Sequence, residues 1–152
     1  MKIQLLAECP DVIPTIAGWL FNEFGYLEPA VTLEIKKKWL GERRNTTGCP
    51  TTVLSFEGAV LGGTASLIEN DLDSCPHLSP WLADVYVLPS LRKHGHGVHL
   101  AQAIAEYAKR SGYRKIYLYT EAQQVFFGRL GWVKLLEMQH HGTSITIMER
   151  EL

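Results

Sequence analysis

The chain has 152 residues, 46% hydrophobic and 20% charged, the balance of a single ordinary globular domain. Its formal net charge of -1 gives no global field toward nucleic acid or anionic lipid, and no apolar run approaches the ~18 residues of a membrane span. The three cysteines (Cys9, Cys49, Cys75) form no C-x-x-C pair and no even set, so they do not suggest a disulfide framework, and a reducing, cytoplasmic setting is expected.

Met1 to Leu6 is too short for the apolar part of a leader and Glu8 follows, so none is expected. Ile3 to Ala7 predicts a first strand. Asp11 is placed as an N-cap between Pro10 and Pro14. Ile13, Ile16, Ala17, Leu20 and Phe21 then recur at helical spacing until Gly25. A second helix is predicted from Thr32 to Gly41, with Lys36-Lys37-Lys38 as a solvated face. After the Asn45–Pro50 loop, Thr51 to Phe56 and Ala59 to Ile68 predict a hairpin turning at Glu57-Gly58. Gly62-Gly63 inside the return strand predicts a bulge or a close backbone approach.

Asn70 to Pro80 is polar and carries two prolines, the composition of a long functional loop. Leu82 to Leu88 predicts a strand, and Val98 to Arg110 a helix. That helix has an apolar stripe of Val98, Ala101, Ala105 and Ala108, widened by Leu100, Ile104 and Tyr107. Lys115 to Thr120 predicts a strand, Gln123 to Leu130 a short helix, and Val133 to Gln139 with Ser144 to Glu149 a terminal hairpin. Ser144 to Glu149 alternates like an edge strand, the feature that favours a homodimer. Without repeats or linkers, residues 1–152 read as one α/β domain.

The chemistry is carried by Arg92-Lys93-His94-Gly95-His96-Gly97, between a strand and a helix. Such a loop offers a row of backbone N–H groups opening into a helix N-terminus, where unpaired donors and the helix dipole attract an anion. Two glycines remove Cβ atoms where a phosphate must approach. The Walker pattern is absent, and Leu100 stands where a dinucleotide fingerprint needs its third glycine. His94, His96 and His99 lack the i, i+4 spacing of a helical metal pair, so no metal is expected; they are read as facing solvent or the phosphates.

The run from Val85 to Gly97 resembles the signature of the GCN5-related N-acetyltransferase (GNAT) superfamily, and the order of elements around it matches as well. Ile116 to Thr120, followed by Phe126-Phe127-Gly128-Arg129-Leu130-Gly131-Trp132, resembles that family's second cofactor motif. The resemblance implies a mixed, mostly antiparallel sheet with a splayed central parallel pair, flanked by about four helices. It implies acetyl-coenzyme A as co-substrate, with its pyrophosphate on the amides from Lys93 to Val98. Arg92, Lys93, His94, Gly95, His96, Gly97, Val98, Thr120, Phe126, Phe127 and Arg129 are the implied cofactor contacts. The pantetheine arm is expected on the main chain of Tyr86, Val87 and Leu88, with an N–H near Val87 polarising the thioester carbonyl.

The implied reaction is direct attack by a primary amine, of a small molecule or a peptide N-terminus, in a ternary complex. Asp84 is the candidate base or acceptor-binding carboxylate, on the same strand face as Tyr86. Family members often carry a tyrosine acid where Phe127 stands, so Tyr119 is the substitute candidate. Trp81, Phe24 and Tyr26 are candidate acceptor-pocket residues. The missing hydroxyl at Phe127 also sets up an alternative, a coenzyme A sensor without catalysis. Segment Ser79 to Ala83 resembles a subgroup that acetylates acidic protein N-termini, while a small-molecule amine is an equal expectation.

Overall fold

The computed structural model describes residues 1–152. Its strands are β1 (Lys2–Leu5), β2 (Thr51–Glu57), β3 (Val60–Ile68), β4 (Trp81–Val87), β5 (Lys115–Thr120), β6 (Val133–His140) and β7 (Thr143–Glu151). They form one sheet in the order β1-β2-β3-β4-β5-β7-β6. Only the central β4–β5 pair is parallel. The helices are α1 (Ile13–Phe24), α2 (Leu33–Glu42), α3 (His96–Arg110) and α4 (Gln124–Arg129). The mixed sheet with a central parallel pair and four helices is the expected one.

Local chemistry explains most boundaries. The Thr32 hydroxyl accepts from the Ile35 N–H at 3.1 Å and caps α2. α1 starts without a side-chain cap: Asp11 lies inside a 3-10 turn, Pro10–Val12, and Val12 occupies the cap position. Pro10 and Pro14 fix φ there, and their missing N–H groups leave less to cap. α3 begins two residues earlier than its apolar stripe suggested, because Gly95 (φ 90) turns the chain into it.

The sheet is covered on both faces. α3 lays Leu100, Ala101, Ile104 and Ala108 against Val53, Ala65, Leu67, Ile116 and Leu118. α1 and α2 lay Ile16, Ala17, Leu20 and Leu40 against Leu6 and Leu54 on the other face. Each fully buried leucine or isoleucine is worth roughly 1.5–3 kcal/mol. A third cluster forms where Leu72, Cys75 and Leu78 fold back onto Ile68, Trp81, Ile145 and Ile147, anchoring the β3–β4 loop.

Two irregularities shape β4 and its neighbour. Ser55 pairs with Gly63 while Phe56 pairs with Leu61, which leaves Gly62 bulged. A Cβ on Gly63 would lie 2.6 Å from the Tyr86 carbonyl oxygen, so both outcomes expected of this glycine pair occur together. In β4, Thr64 pairs with Tyr86 but Ser66 pairs with Ala83, so Asp84 and Val85 together oppose Ala65. Asp84 adopts φ 55, uncommon for a non-glycine residue.

The edge expectation is corrected. β7 lies between β5 and β6, paired on both sides, and β6 is the outer strand. A register shift between Lys134 and Leu136 leaves Leu135 and Leu136 40% and 39% exposed.

Candidate active site

β4 ends at Val87, and a short 3-10 turn, Pro89–Leu91, leads into the glycine loop. Lys93 (φ 65) and Gly95 (φ 90) both take left-handed backbone. No amide from Lys93 to Val98 donates to a backbone acceptor; the first helical bond is His99 N–H to the Gly95 carbonyl at 3.0 Å. Successive free N–H groups at the start of a 15-residue helix are the kind of arrangement that can hold an anion. Arg92, Lys93 and His94 are exposed around it.

His96 departs from its expected position toward solvent or phosphate. It is buried, with Nδ1 2.8 Å from the Ser55 hydroxyl and Nε2 3.3 Å from a Glu57 carboxylate oxygen. Gly62 makes room for it: a Cβ there would lie 2.8 Å from the imidazole. The signal was present in the spacing, because His96, Leu100 and Ile104 recur every four residues and extend the buried stripe of α3.

β4 and β5 touch at one register position, Trp81 opposite Tyr117, with the Tyr117 N–H donating to the Pro80 carbonyl at 3.0 Å. Past that point the strands part. The Leu88 N–H donates to the Gly62 carbonyl at 2.8 Å. Alternation along the antiparallel ladder then turns the backbone groups of Leu88 and Tyr86 toward β3, and those of Val85 and Val87 toward β5. This corrects the pairing implied for the main chain of Tyr86 and Leu88 and leaves the Val87 N–H facing the gap between the strands. Arg92 Nε takes the Val87 carbonyl at 2.9 Å.

Other implied contacts divide. The Phe126 ring stands against the loop: a Cβ on Gly97 would lie 3.4 Å from it. Phe127 instead belongs to the α3-side core, edge-on to Phe126 and Trp132, so its implied contact with the cofactor is corrected. The Thr120 hydroxyl accepts from the Gln123 N–H at 3.0 Å at the end of β5. Val98 is half-buried and Arg129 exposed.

The sequence profile of the acetyltransferase (GNAT) family matches residues 13–132, most of the chain and all of this arrangement. The chain belongs to that family. No curated protein matches it. Solved structures share the GNAT fold. Ribosomal-protein-alanine N-acetyltransferase from Brucella melitensis is 19% identical, with 100% of each chain covered and a TM-score of 0.74. An aminoglycoside 6'-N-acetyltransferase complexed with coenzyme A is 15% identical, covers 99% of this chain and 97% of its own, and has a TM-score of 0.74. The yncA protein of Salmonella typhimurium, with its cofactor acetyl-CoA, is 20% identical over 99% of this chain and 93% of its own, with a TM-score of 0.72. At these identities the likeness is one of fold.

On the α1–α2 side of this GNAT sheet lies a cavity of about 700 Å³. Its walls are the α1–α2 connection from Leu27 to Val31, the end of α2, the β3–β4 loop and the β6–β7 turn. Glu28, Glu42, Glu69, Asp71 and Asp73 line it, with Arg43, His140 and His141. Arg43 links the cavity to Asp84 by a 2.7 Å ion pair. Lys36 reaches the same carboxylate at 3.1 Å and Glu28 at 3.4 Å.

Lys36 therefore does not belong to a solvated face; its side chain is 2% exposed. Lys36 and Leu40 are the buried residues of α2, and the buried Arg43 caps its C-terminal end. Burial pushes the Asp84 pKa up, but the Lys36 and Arg43 cations and their hydrogen bonds outweigh it and hold the carboxyl below the usual range. A carboxylate so held is a poor proton acceptor, which weighs against Asp84 as the base.

Tyr119, on β5, packs 5.6 Å from His140 and 6.4 Å from Trp81. Burial first, then the charges of Asp71, Glu28 and Asp84, push its phenol well above the ordinary range. It keeps its proton and can donate a hydrogen bond, but it is a weak acid toward a thiolate. Trp81 is corrected outright: it is fully buried and donates Nε1–H to the Leu78 carbonyl at 2.6 Å, closed to an acceptor. Phe24 packs partly buried against the α1–α2 core. Tyr26 is exposed and donates to Glu121 just after β5, which pushes its pKa up to about 12.

Proposed function

We propose that this protein transfers the acetyl group of acetyl-coenzyme A to a primary amine by direct attack in a ternary complex. The carrying observation is the parting of β4 from β5, in a chain with an amide-lined loop at the end of β4 and an acidic cavity beside Asp84. Two structures of the same fold contain acetyl-CoA or coenzyme A, which supports the choice of co-substrate.

The amides from Lys93 to Val98 and the side chains of Arg92 and Lys93 suit the pyrophosphate, and Gly97 with the Phe126 ring suits a chain lying close to the backbone. The co-substrate supplies an activated acyl carbon and a thiol leaving group. The chain's part is to place the Val87 N–H at the thioester oxygen, where negative charge develops during attack. Arg92 holds the Val87 carbonyl and so helps fix that peptide.

The acceptor reading is a small-molecule or peptide N-terminal amine delivered as a cation. The whole chain is nearly neutral, but the cavity is not: five carboxylates line it, and its one guanidinium is committed to Asp84. Two of the named relatives act on a ribosomal-protein alanine and on an aminoglycoside, so shared fold does not choose between peptide and small molecule. Three free cysteines fit a cytoplasmic setting, and no helix is long and apolar enough to cross a membrane.

The test is thiol release from acetyl-coenzyme A with a panel of amines and peptides. Sustained release supports the proposal. Tight binding without release across the panel supports the alternative of a coenzyme A sensor.

A further inference from the structure

We propose that Asp71, on the β3–β4 loop, takes the proton from the acceptor's ammonium, and that Asp84 serves to position the charges around it. This rests on the acetyltransferase reading above.

Asp71 lines the cavity in a partly buried position. Its backbone is fixed there, because the adjacent Leu72 is buried against Ile68 and Trp81. No hydrogen bond or ion pair engages its carboxylate. Both nearby cations are spent elsewhere: Arg43 on Asp84 at 2.7 Å, and Lys36 on Asp84 at 3.1 Å and Glu28 at 3.4 Å. Both cations are thus taken by Asp84 and Glu28, and Asp71 is left without an ion-pair partner.

The surroundings of Asp71 are accounted for on every side. The α1–α2 connection presents Glu28, α2 presents Lys36, Glu42 and Arg43, and β4 presents Asp84. β5 presents Tyr119, the β6–β7 turn His140 and His141, and its own loop Glu69 and Asp73. Burial and then the charges of Asp84 and Glu28 raise the Asp71 pKa to about 8, with Arg43 and Lys36 pulling the other way. Burial lowers the pKa of His140, so it adds no cation near neutrality.

This arrangement suits proton removal from an amine. An alkylammonium has a pKa of ~10.4, far above an ordinary carboxyl at ~3.9 but close to Asp71. The ammonium N–H bond breaks, its electron pair stays on nitrogen, and the proton moves to the Asp71 carboxylate. The neutral amine forms the N–C bond to the thioester carbon, and the C–S bond breaks with its electrons on sulfur. The second nitrogen proton goes to the thiolate. Asp71 returns its proton to water through the open cavity, giving amide, thiol and one released proton.

The test uses the full chain, with acetyl-coenzyme A and the best amine from the panel. Asp71→Asn should lower kcat by about 100-fold, within the usual range for a general base, with little change in acetyl-coenzyme A affinity. It should also remove a rise in kcat with an inflection near pH 8. Asp71→Glu should keep the inflection at an intermediate rate. Wild-type kcat and inflection in folded Asp71→Asn overturn the assignment alone. No thiol release by the wild type with any amine overturns the acetyltransferase reading and the assignment with it. Carboxyl NMR gives a readout independent of turnover: Asp71 should titrate near 8, and titration near 4 overturns the proposal.

Discussion

The Lys36 ammonium lies 3.1 Å from the Asp84 carboxylate, with both side chains at or below 10% exposure. One helix thus delivers a buried cation to the bulge of the central strand, where Asp84 sits at φ 55. Lys36→Met should cost about 3 kcal/mol, because Asp84 keeps only Arg43 as a partner. Lys37→Ala and Lys38→Ala should each stay within about 0.5 kcal/mol. Urea titration of the three variants checks the contrast. The folded pKa of Asp84 lies below its unfolded value, so its contribution is complete above ~3.9 and is lost as pH falls through the lowered value. Acid unfolding should therefore be shallower in Lys36→Met.

Asp71 has the opposite sign. Its folded pKa, about 8, lies above the unfolded value, so the folded chain holds the extra proton and stability falls as pH rises from ~4 through 8. Asp71→Asn should raise Tm by a few degrees at pH 8.5, at roughly 2–4 °C per kcal/mol for a chain of this length, and by almost nothing at pH 4. Calorimetry at both values checks it. Wild-type Tm at pH 8.5 would contradict the charge arrangement.

Glycine substitutions should separate close approach from open space. Gly63→Ala would put Cβ 2.6 Å from a carbonyl oxygen of β4, and displacement of that strand should cost about 2 kcal/mol and weaken coenzyme A binding. Gly18→Ala, inside α1 with nothing within 4 Å, should stabilise by up to ~1 kcal/mol. Thermal shift with and without coenzyme A reads both.

Gly95→Ala tests the loop. Gly95 holds φ 90 as the N-cap of α3, a conformation alanine resists. The coenzyme A Kd should rise about tenfold or more, for a cost of ~1.4 kcal/mol or above. Calorimetric titration measures it.

Phe127→Tyr tests whether a family-style acid can be restored. Phe127 faces Phe126 and Trp132 in the core, where an added hydroxyl would have to be taken out of water. The variant should lose about 1–3 kcal/mol and gain no rate. A faster enzyme would show that the ring reaches the reacting sulfur.

Much of the molecule was legible because it is written in local rules. Apolar periodicity placed the elements of α3 and β5, Thr32 marked the start of α2, and Gly62-Gly63 announced the strand contact later found at Tyr86. The loop from Arg92 to Gly97 was readable because anion binding by free amides depends on a short run of neighbours. Phe126 and Phe127 show where this stops: adjacent positions on one short helix point to different partners, and only packing decides which meets the loop and which fills the core.

Sequence alone determined the family, the sheet's constituent strands and the glycine loop that opens α3, since each depends on residues close together in the chain. Tertiary structure alone decided the charge arrangement of the cavity. Lys36, Arg43, Asp84 and Asp71 come from α2, β4 and the β3–β4 loop. Their roles depend on how charge is shared once burial removes water. A lysine in a run of three reads as solvated until a helix carries it under the sheet, and that Asp71 stays unpaired shows only once both cations have found their partners.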